Sequence, residues 1–267
     1  LTDDFAKRWR LDGRRALVTG ATKGIGFAVV EDLLGLGARV CITARTEQDV
    51  EACLTEWREA GHDVAGVAAD VATQPGREAA IKAAVDAFGG LDILVNNAGT
   101  NIRKATVEYA PEEYETLMQT NLVSAYELSR LAYPYLKEAP GGASIVTIGS
   151  VAGSVMVGSG LPYAMTKAAI DQLTRYLAVE WGGDGVRVNA VNPWYTRTHR
   201  VSPYLDHPGF TAEVLAKTPL GRVAESEDVS GLVAFLCLPA AAYVTGQTVA
   251  VDGGFLAYGF VPSAAAR

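Results

Sequence analysis

Short apolar runs alternate with longer stretches whose apolar residues recur at helical spacing along nearly the whole chain. Arg15–Thr19 (RALVT) reads as a buried strand that stops at Gly20, and Ile25–Leu36 as a helix ending at Gly37. The same alternation continues with strand Arg39–Thr43, helix Glu47–Ala60, strand Val64–Ala69, helix Gly76–Phe88 and strand Leu91–Val95. In the second half, a long helix is predicted within Pro111–Tyr135, then strand Ser144–Ile148, helix Tyr163–Trp181, strand Val186–Val191, helix Ser226–Cys237 and strand Thr248–Val251. Near-continuous apolar strands separated by amphipathic helices require a parallel sheet covered on both faces. Right-handed crossovers then give a Rossmann-type, doubly wound α/β fold with seven strands. Residues 192–218 are long for a connection and hold three prolines and several aromatics, so they are predicted to form a substrate loop.

The length of 267 residues fits one such domain, taken as residues 13–262, with 1–12 as an N-terminal extension and 263–267 as a frayed tail. A net charge of −7 argues against a nucleic-acid partner. No apolar run of about 18 residues occurs, so no membrane span is expected. Leu1–Arg10 is mixed and charged and lacks a secretory core, although the missing initiator Met leaves a trimmed start open. Cys41, Cys53 and Cys237 form no C-x-x-C pair, and His62, His199 and His207 have no metal-ligand spacing. A reducing, cytoplasmic setting without a metal is expected.

Thr19 to Gly26 (TGATKGIG) lies between the first strand and the first helix. Gly20 suits a tight turn, Gly24 a backbone approaching a ligand, and Gly26 close helix packing. The helix N-terminus beyond it can hold a pyrophosphate. The second strand ends at Thr43-Ala44-Arg45 with no carboxylate to bind ribose hydroxyls. Arg45 can instead pair with a 2′-phosphate, with Lys23 as a second cation, so NADP(H) is expected rather than NAD(H).

Tyr163 and Lys167 are four residues apart at the start of a helix and share a face. A free tyrosine titrates near ~10, and lowering that by ~2 units needs about 2.7 kcal/mol. A close ammonium is expected to supply it, making Tyr163 a general acid/base for a carbonyl oxygen. Ser150, at the end of a strand, is placed to hydrogen-bond the same oxygen.

These landmarks, with Asn96-Asn97-Ala98-Gly99 and Asn121, resemble the short-chain dehydrogenase/reductase family over essentially the whole chain. The resemblance implies a catalytic set of Asn121, Ser150, Tyr163 and Lys167, in which Lys167 also holds the nicotinamide ribose and Asn121 keeps a water in a proton relay. It implies cofactor contacts from Gly20, Thr22, Lys23, Gly24, Ile25 and Gly26, then Arg45, Asp70 and Val71 at the adenosine end. Further contacts are implied for Asn97, Ala98, Gly99, Pro193, Tyr195 and Thr198, with Asn96 more structural. A homodimer or homotetramer built on the helices from Pro111 and Tyr163 is also implied. Two positions depart from the family pattern: Gly149 replaces a second serine, and Trp194 follows Pro193 where glycine is usual.

Longer stretches are similar to plant tropinone reductases and tropinone-reductase-like proteins, among them Arg8-Trp9, Glu56-Trp57-Arg58, Lys217-Thr218-Pro219 and Ala250 to Phe255. In true tropinone reductases the position of Arg103 carries an uncharged or weakly basic ring, and one type has a carboxylate at the position of Gly160. A fixed cation at Arg103 would repel the tropinone ammonium. The expected substrate is therefore a small neutral or anionic carbonyl, foremost a neutral cyclic or aromatic-type ketone. Ser150, Arg103, Met156, Gly160, Tyr163 and Trp194 are its candidate contacts, with Tyr195, Tyr204 and Phe210 as further apolar wall. Two alternatives stand beside this NADP(H)-dependent reductase. A 3-oxoacyl-carrier-protein reductase would want a basic docking surface, and a catalytically silent NADP-binding protein would not need the four catalytic residues.

Overall fold

The computed structural model describes residues 3–259. After a short helix α1 (Asp3–Lys7), strands and helices alternate as β1 (Arg15–Thr19), α2 (Gly24–Gly35), β2 (Arg39–Ala44), α3 (Glu47–Glu59), β3 (Val64–Ala68), α4 (Gln74–Phe88) and β4 (Ile93–Asn96). Then come α5 (Pro111–Met118), α6 (Ser124–Leu136), β5 (Ala143–Ile148), α7 (Leu161–Trp181), β6 (Val186–Pro193), α8 (Ser202–Leu205), α9 (Pro208–Ala216), α10 (Ser226–Cys237) and β7 (Thr248–Val251). All strand pairs are parallel, in the order β3-β2-β1-β4-β5-β6-β7.

Strand alternation sorts the core into two layers. Val18, Val40, Ile42 and Val95 face α2, α3 and α10, where Val29, Leu33, Leu54 and Leu236 are buried. Leu17, Cys41, Leu94 and Ile145 face the opposite way, onto Ala84, Leu128, Leu136 and Leu177 of α4, α6 and α7. Apolar side chains on both strand faces are the reason the strands read as unbroken apolar runs. The chain runs outward from β1 through β2 to β3, then returns to place β4 on the other side of β1. That reversal opens a crevice beyond the carboxyl ends of β1 and β4, the position where such sheets bind ligands.

The structure changes three sequence expectations. Residues 8–12 are not a free extension: Leu11 is fully buried, Trp9 packs on Phe235, and Ala240 N–H donates to the carbonyl of Arg8. The predicted helix within Pro111–Tyr135 is interrupted by a π-turn at Gln119–Val123. The predicted loop 192–218 begins with the last two residues of β6 and carries helices α8 and α9. The tail from 263 and the first two residues lie outside the described residues.

Cys41, Cys53 and Cys237 are buried free thiols, and burial pushes Cys41 and Cys237 up to about 12, far from reactivity at neutral pH. Among the described residues no group of three metal-ligating side chains comes together, and no helix is long and apolar enough to cross a membrane.

Candidate active site

One cleft of about 840 Å³ collects the residues that follow six strands. Gly20, Thr22, Lys23, Gly24 and Ile25 line it after β1, Arg45 after β2, and Asp70 and Val71 after β3. Asn97, Ala98, Gly99 and Arg103 enter after β4, Ser150 after β5, and Trp194, Tyr195 and Thr198 after β6, where Pro193 is the last strand residue. Tyr163 and Lys167 of α7 complete it.

The glycine turn is built to receive a phosphate. Helix α2 begins at Gly24, has no acidic residue in its first turn, and therefore presents uncompensated N–H groups to the cleft. Gly26 lies behind the lining: a Cβ there would stand 2.4 Å from both Asn97 Nδ2 and Gly20 O. That contact is productive because Asn97 Nδ2 donates to the carbonyls of Thr19 and Gly20 at 2.9 Å each, bracing the turn. Thr19 Oγ1 accepts from the N–H groups of Asn97 and Ala98 at 3.0 Å. Asn96 points away, to Ser129 Oγ at 3.2 Å, as a structural residue. At the far end Asp70 Oδ1 accepts from Ala72 N–H at 3.0 Å. The long groove, the anion-ready helix end and the cations beside it fit a dinucleotide phosphate.

The two expected cations differ in state. Arg45 is exposed at the rim and has no ion-pair partner among the described residues. Lys23 Nζ is 3.0 Å from Asp49 Oδ2, which also faces the cleft, so much of its charge is already compensated. The sequence reading of Lys23 as a second cation did not foresee Asp49, which α3 brings against it while Lys23 still lines the cleft.

At the other end, Ser150 caps the turn Val151–Gly153, its Oγ accepting from Ala152 N–H at 3.1 Å. It lines the same cleft as Tyr163, and the nearby Ser150 hydroxyl favours the ionised form of that phenol. Lys167 is 5% exposed, its Nζ donates to the Ile148 carbonyl at 2.7 Å, and it stands 5.5 Å from the Tyr163 ring centre. The expectation that this ammonium makes the phenol unusually acidic is corrected. Burial raises the Tyr163 hydroxyl above its ordinary value, opposed by Ser150, then by Arg200 and Arg103. Lys167 is itself desolvated and pushed down to about 8, with Arg200 adding repulsion.

Asn121 sits in the π-turn, 2% exposed and behind the lining residues. Its amide clasps Thr100, accepting from the N–H at 2.7 Å and donating to the carbonyl at 2.9 Å. A π-turn widens the helix by one residue, and such turns concentrate at functional sites.

Two substrate candidates lie elsewhere. Met156 is 90% exposed and does not line the cleft. Gly160 is covered: with φ of 93°, it would place a Cβ 2.0 Å from the hydroxyl of Tyr109. Trp194 lies in the wall, stacked on Phe255 at 3.7 Å, with its Nε1 donating to Thr218 Oγ1 at 3.1 Å. Phe210 packs behind Tyr195 and Tyr204 rather than lining the cleft. Gly149 also has a reason: a Cβ there would fall 1.8 Å from Asn192 Oδ1, whose amide Nδ2 donates to Asp171 Oδ1 at 3.1 Å.

The sequence reading missed Arg200. It projects across the cleft, and its Nη1 donates to the Gly99 carbonyl at 2.6 Å. Its charge acts on Tyr163 at one end and Arg45 at the other. No local pattern signals this reach, since it depends on how the segment after β6 folds back.

A family model described as enoyl-(acyl carrier protein) reductase matches residues 20–256. A short chain dehydrogenase from Burkholderia cenocepacia J2315, solved in complex with NADP, superposes with a TM-score of 0.86 at 31% identity, covering 92% of this chain and 99% of that one. The chain is a short-chain dehydrogenase/reductase. Within the family, a tropinone reductase homolog of Arabidopsis thaliana is 52% identical over 255 residues, 95% of this chain and 96% of that protein. A second tropinone reductase homolog of that plant, chloroplastic, is 50% identical over 257 residues, 96% of this chain and 80% of that protein. The chain is thus an oxidoreductase of a family that binds NAD(P), with tropinone-reductase-like relatives.

Proposed function

We propose that this short-chain dehydrogenase/reductase is an NADP(H)-dependent carbonyl reductase, or alcohol dehydrogenase in reverse, acting on a small ketone without positive charge. The observation that carries the reading is the convergence of Tyr163, Ser150 and Lys167 in the same cleft as the glycine turn. NADP(H) is favoured by Arg45, by the absence of a carboxylate at the end of β2, and by the NADP held by a structural relative.

The cofactor, when bound, supplies or accepts the hydride. Thr198, Tyr195, Pro193 and Lys167 would hold its nicotinamide end, and Gly24, Ile25 and Thr22 its phosphates. Ser150 donates a hydrogen bond to the reacting oxygen and fixes it against the phenol. Tyr163 holds the proton that passes to that oxygen. A phenol is protonated at neutral pH and burial pushes Tyr163 further that way, so it is supplied as an acid, which suits reduction. Alcohol oxidation needs the phenolate and gains as pH rises. Asn121 keeps the Thr100 segment in place beside Gly99.

Exposed apolar residues on α6 and α7, among them Tyr126, Tyr176 and Val179, support assembly as a homodimer or homotetramer. Three unpaired buried thiols support a cytoplasmic setting. The decisive experiment is turnover of a ketone panel followed by NADPH absorbance, with Tyr163→Phe alongside. Tyr163→Phe is expected to lower kcat by at least about 10²-fold while NADPH fluorescence titration still shows binding. Equal turnover by the variant overturns the role given to Tyr163.

A further inference from the structure

We propose that the substrate carries an acidic group, a carboxylate in the simplest case, and that Arg103 selects it. This rests on the reading of the site as a carbonyl reductase.

Arg103 is held, not merely present. The Tyr109 hydroxyl donates to the Ile102 carbonyl at 2.6 Å and accepts from Lys104 N–H at 3.3 Å, pinning the backbone on both sides of Arg103. That hydroxyl occupies the space that any side chain at position 160 would fill, so Gly160 and the placement of Arg103 are one device. From there the guanidinium crosses the cleft to the opposite wall, lying 4.2 Å over the Tyr204 ring and 5.7 Å over Tyr195. Aromatic faces orient a guanidinium while leaving its N–H edge available.

That edge has no partner within the described chain. Arg103 makes no ion pair and donates no hydrogen bond there, although the side chain is half-buried. The carboxylates of the cleft are engaged elsewhere: Asp49 by Lys23, Asp70 by Ala72 N–H, Glu115 by Gln119. Arg200 brings a second guanidinium into the same space with a carbonyl as its partner. Both guanidinium groups line the cleft that holds Tyr163 and Ser150. Two uncompensated cations in a partly desolvated cleft repel a cationic ketone and attract an anionic one. A planar fork of N–H donors against aromatic rings is the geometry that binds a carboxylate in two-pronged fashion.

The test uses the NADPH-loaded enzyme and paired ketones of similar shape: cyclohexanone against 3-oxo- and 4-oxocyclohexane-1-carboxylate. The expected result is a kcat/KM for at least one oxo-acid about tenfold or more above cyclohexanone, falling as salt rises. Arg103→Gln removes most of that ratio, Arg103→Lys retains part of it, and Arg103→Glu shifts the ratio toward a cationic aminoketone. Binding is measured separately by calorimetry on the NADP+ complex, with cyclohexanecarboxylate against cyclohexanecarboxamide. If nothing on the panel is reduced yet the carboxylate binds more tightly than the amide and Arg103→Gln abolishes the difference, the reductase reading fails and the acid site stands. If the carboxylate and the amide bind alike, or Arg103→Gln leaves the ratio unchanged, the proposal is overturned.

Discussion

Lys167 carries a cost that can be measured without substrate. In the fold it titrates at about 8 rather than 10.5, because burial outweighs the help it receives from Asp171. That difference corresponds to about 3 kcal/mol of native-state penalty at neutral pH, where the lysine is charged both folded and unfolded. Lys167→Met removes the penalty but leaves the Ile148 carbonyl without its donor, a loss of about 1–3 kcal/mol. The expected balance in the cofactor-free protein at pH 7 is a variant at least as stable as the wild type, by about 0–2 kcal/mol. Between about pH 8 and 10.5 the native lysine has lost its proton while the unfolded one keeps it, so wild-type stability rises with pH and the variant's advantage disappears. Equilibrium urea unfolding of both proteins at fixed concentration, from pH 7 to 10, measures the difference, and other titrating groups cancel. A gap that is constant or widens with pH would refute the account of Lys167 as a desolvated ammonium.

Arg45→Asp places a carboxylate at the end of β2 and should move kcat/KM from NADPH toward NADH; unchanged preference would assign the 2′-phosphate elsewhere. Gly149→Ala should destabilise by about 1–3 kcal/mol through contact with Asn192 Oδ1, read as a lower urea midpoint, and Asn192→Ala in the same chain should recover part of it. An additive double mutant would remove the steric explanation.

The number and parallel direction of the seven strands follow from the sequence, because hydrophobic period and crossover handedness are local or general constraints, whereas their order in the sheet was decided by the tertiary structure. So does the placing of Gly20, Ser150 and Arg45, since residues just past strand ends must face the crevice of a parallel sheet. What the sequence could not decide is which side chains meet across that crevice. Lys23 pairing with Asp49, Trp194 lying on Phe255, Arg200 reaching Gly99 and Tyr109 filling the space above Gly160 all join segments that are distant in the chain or folded back on themselves. The titration of Tyr163 belongs to the same class: its four-residue spacing from Lys167 is written in the sequence, but how far each is removed from water is set by the packing of every wall of the cleft.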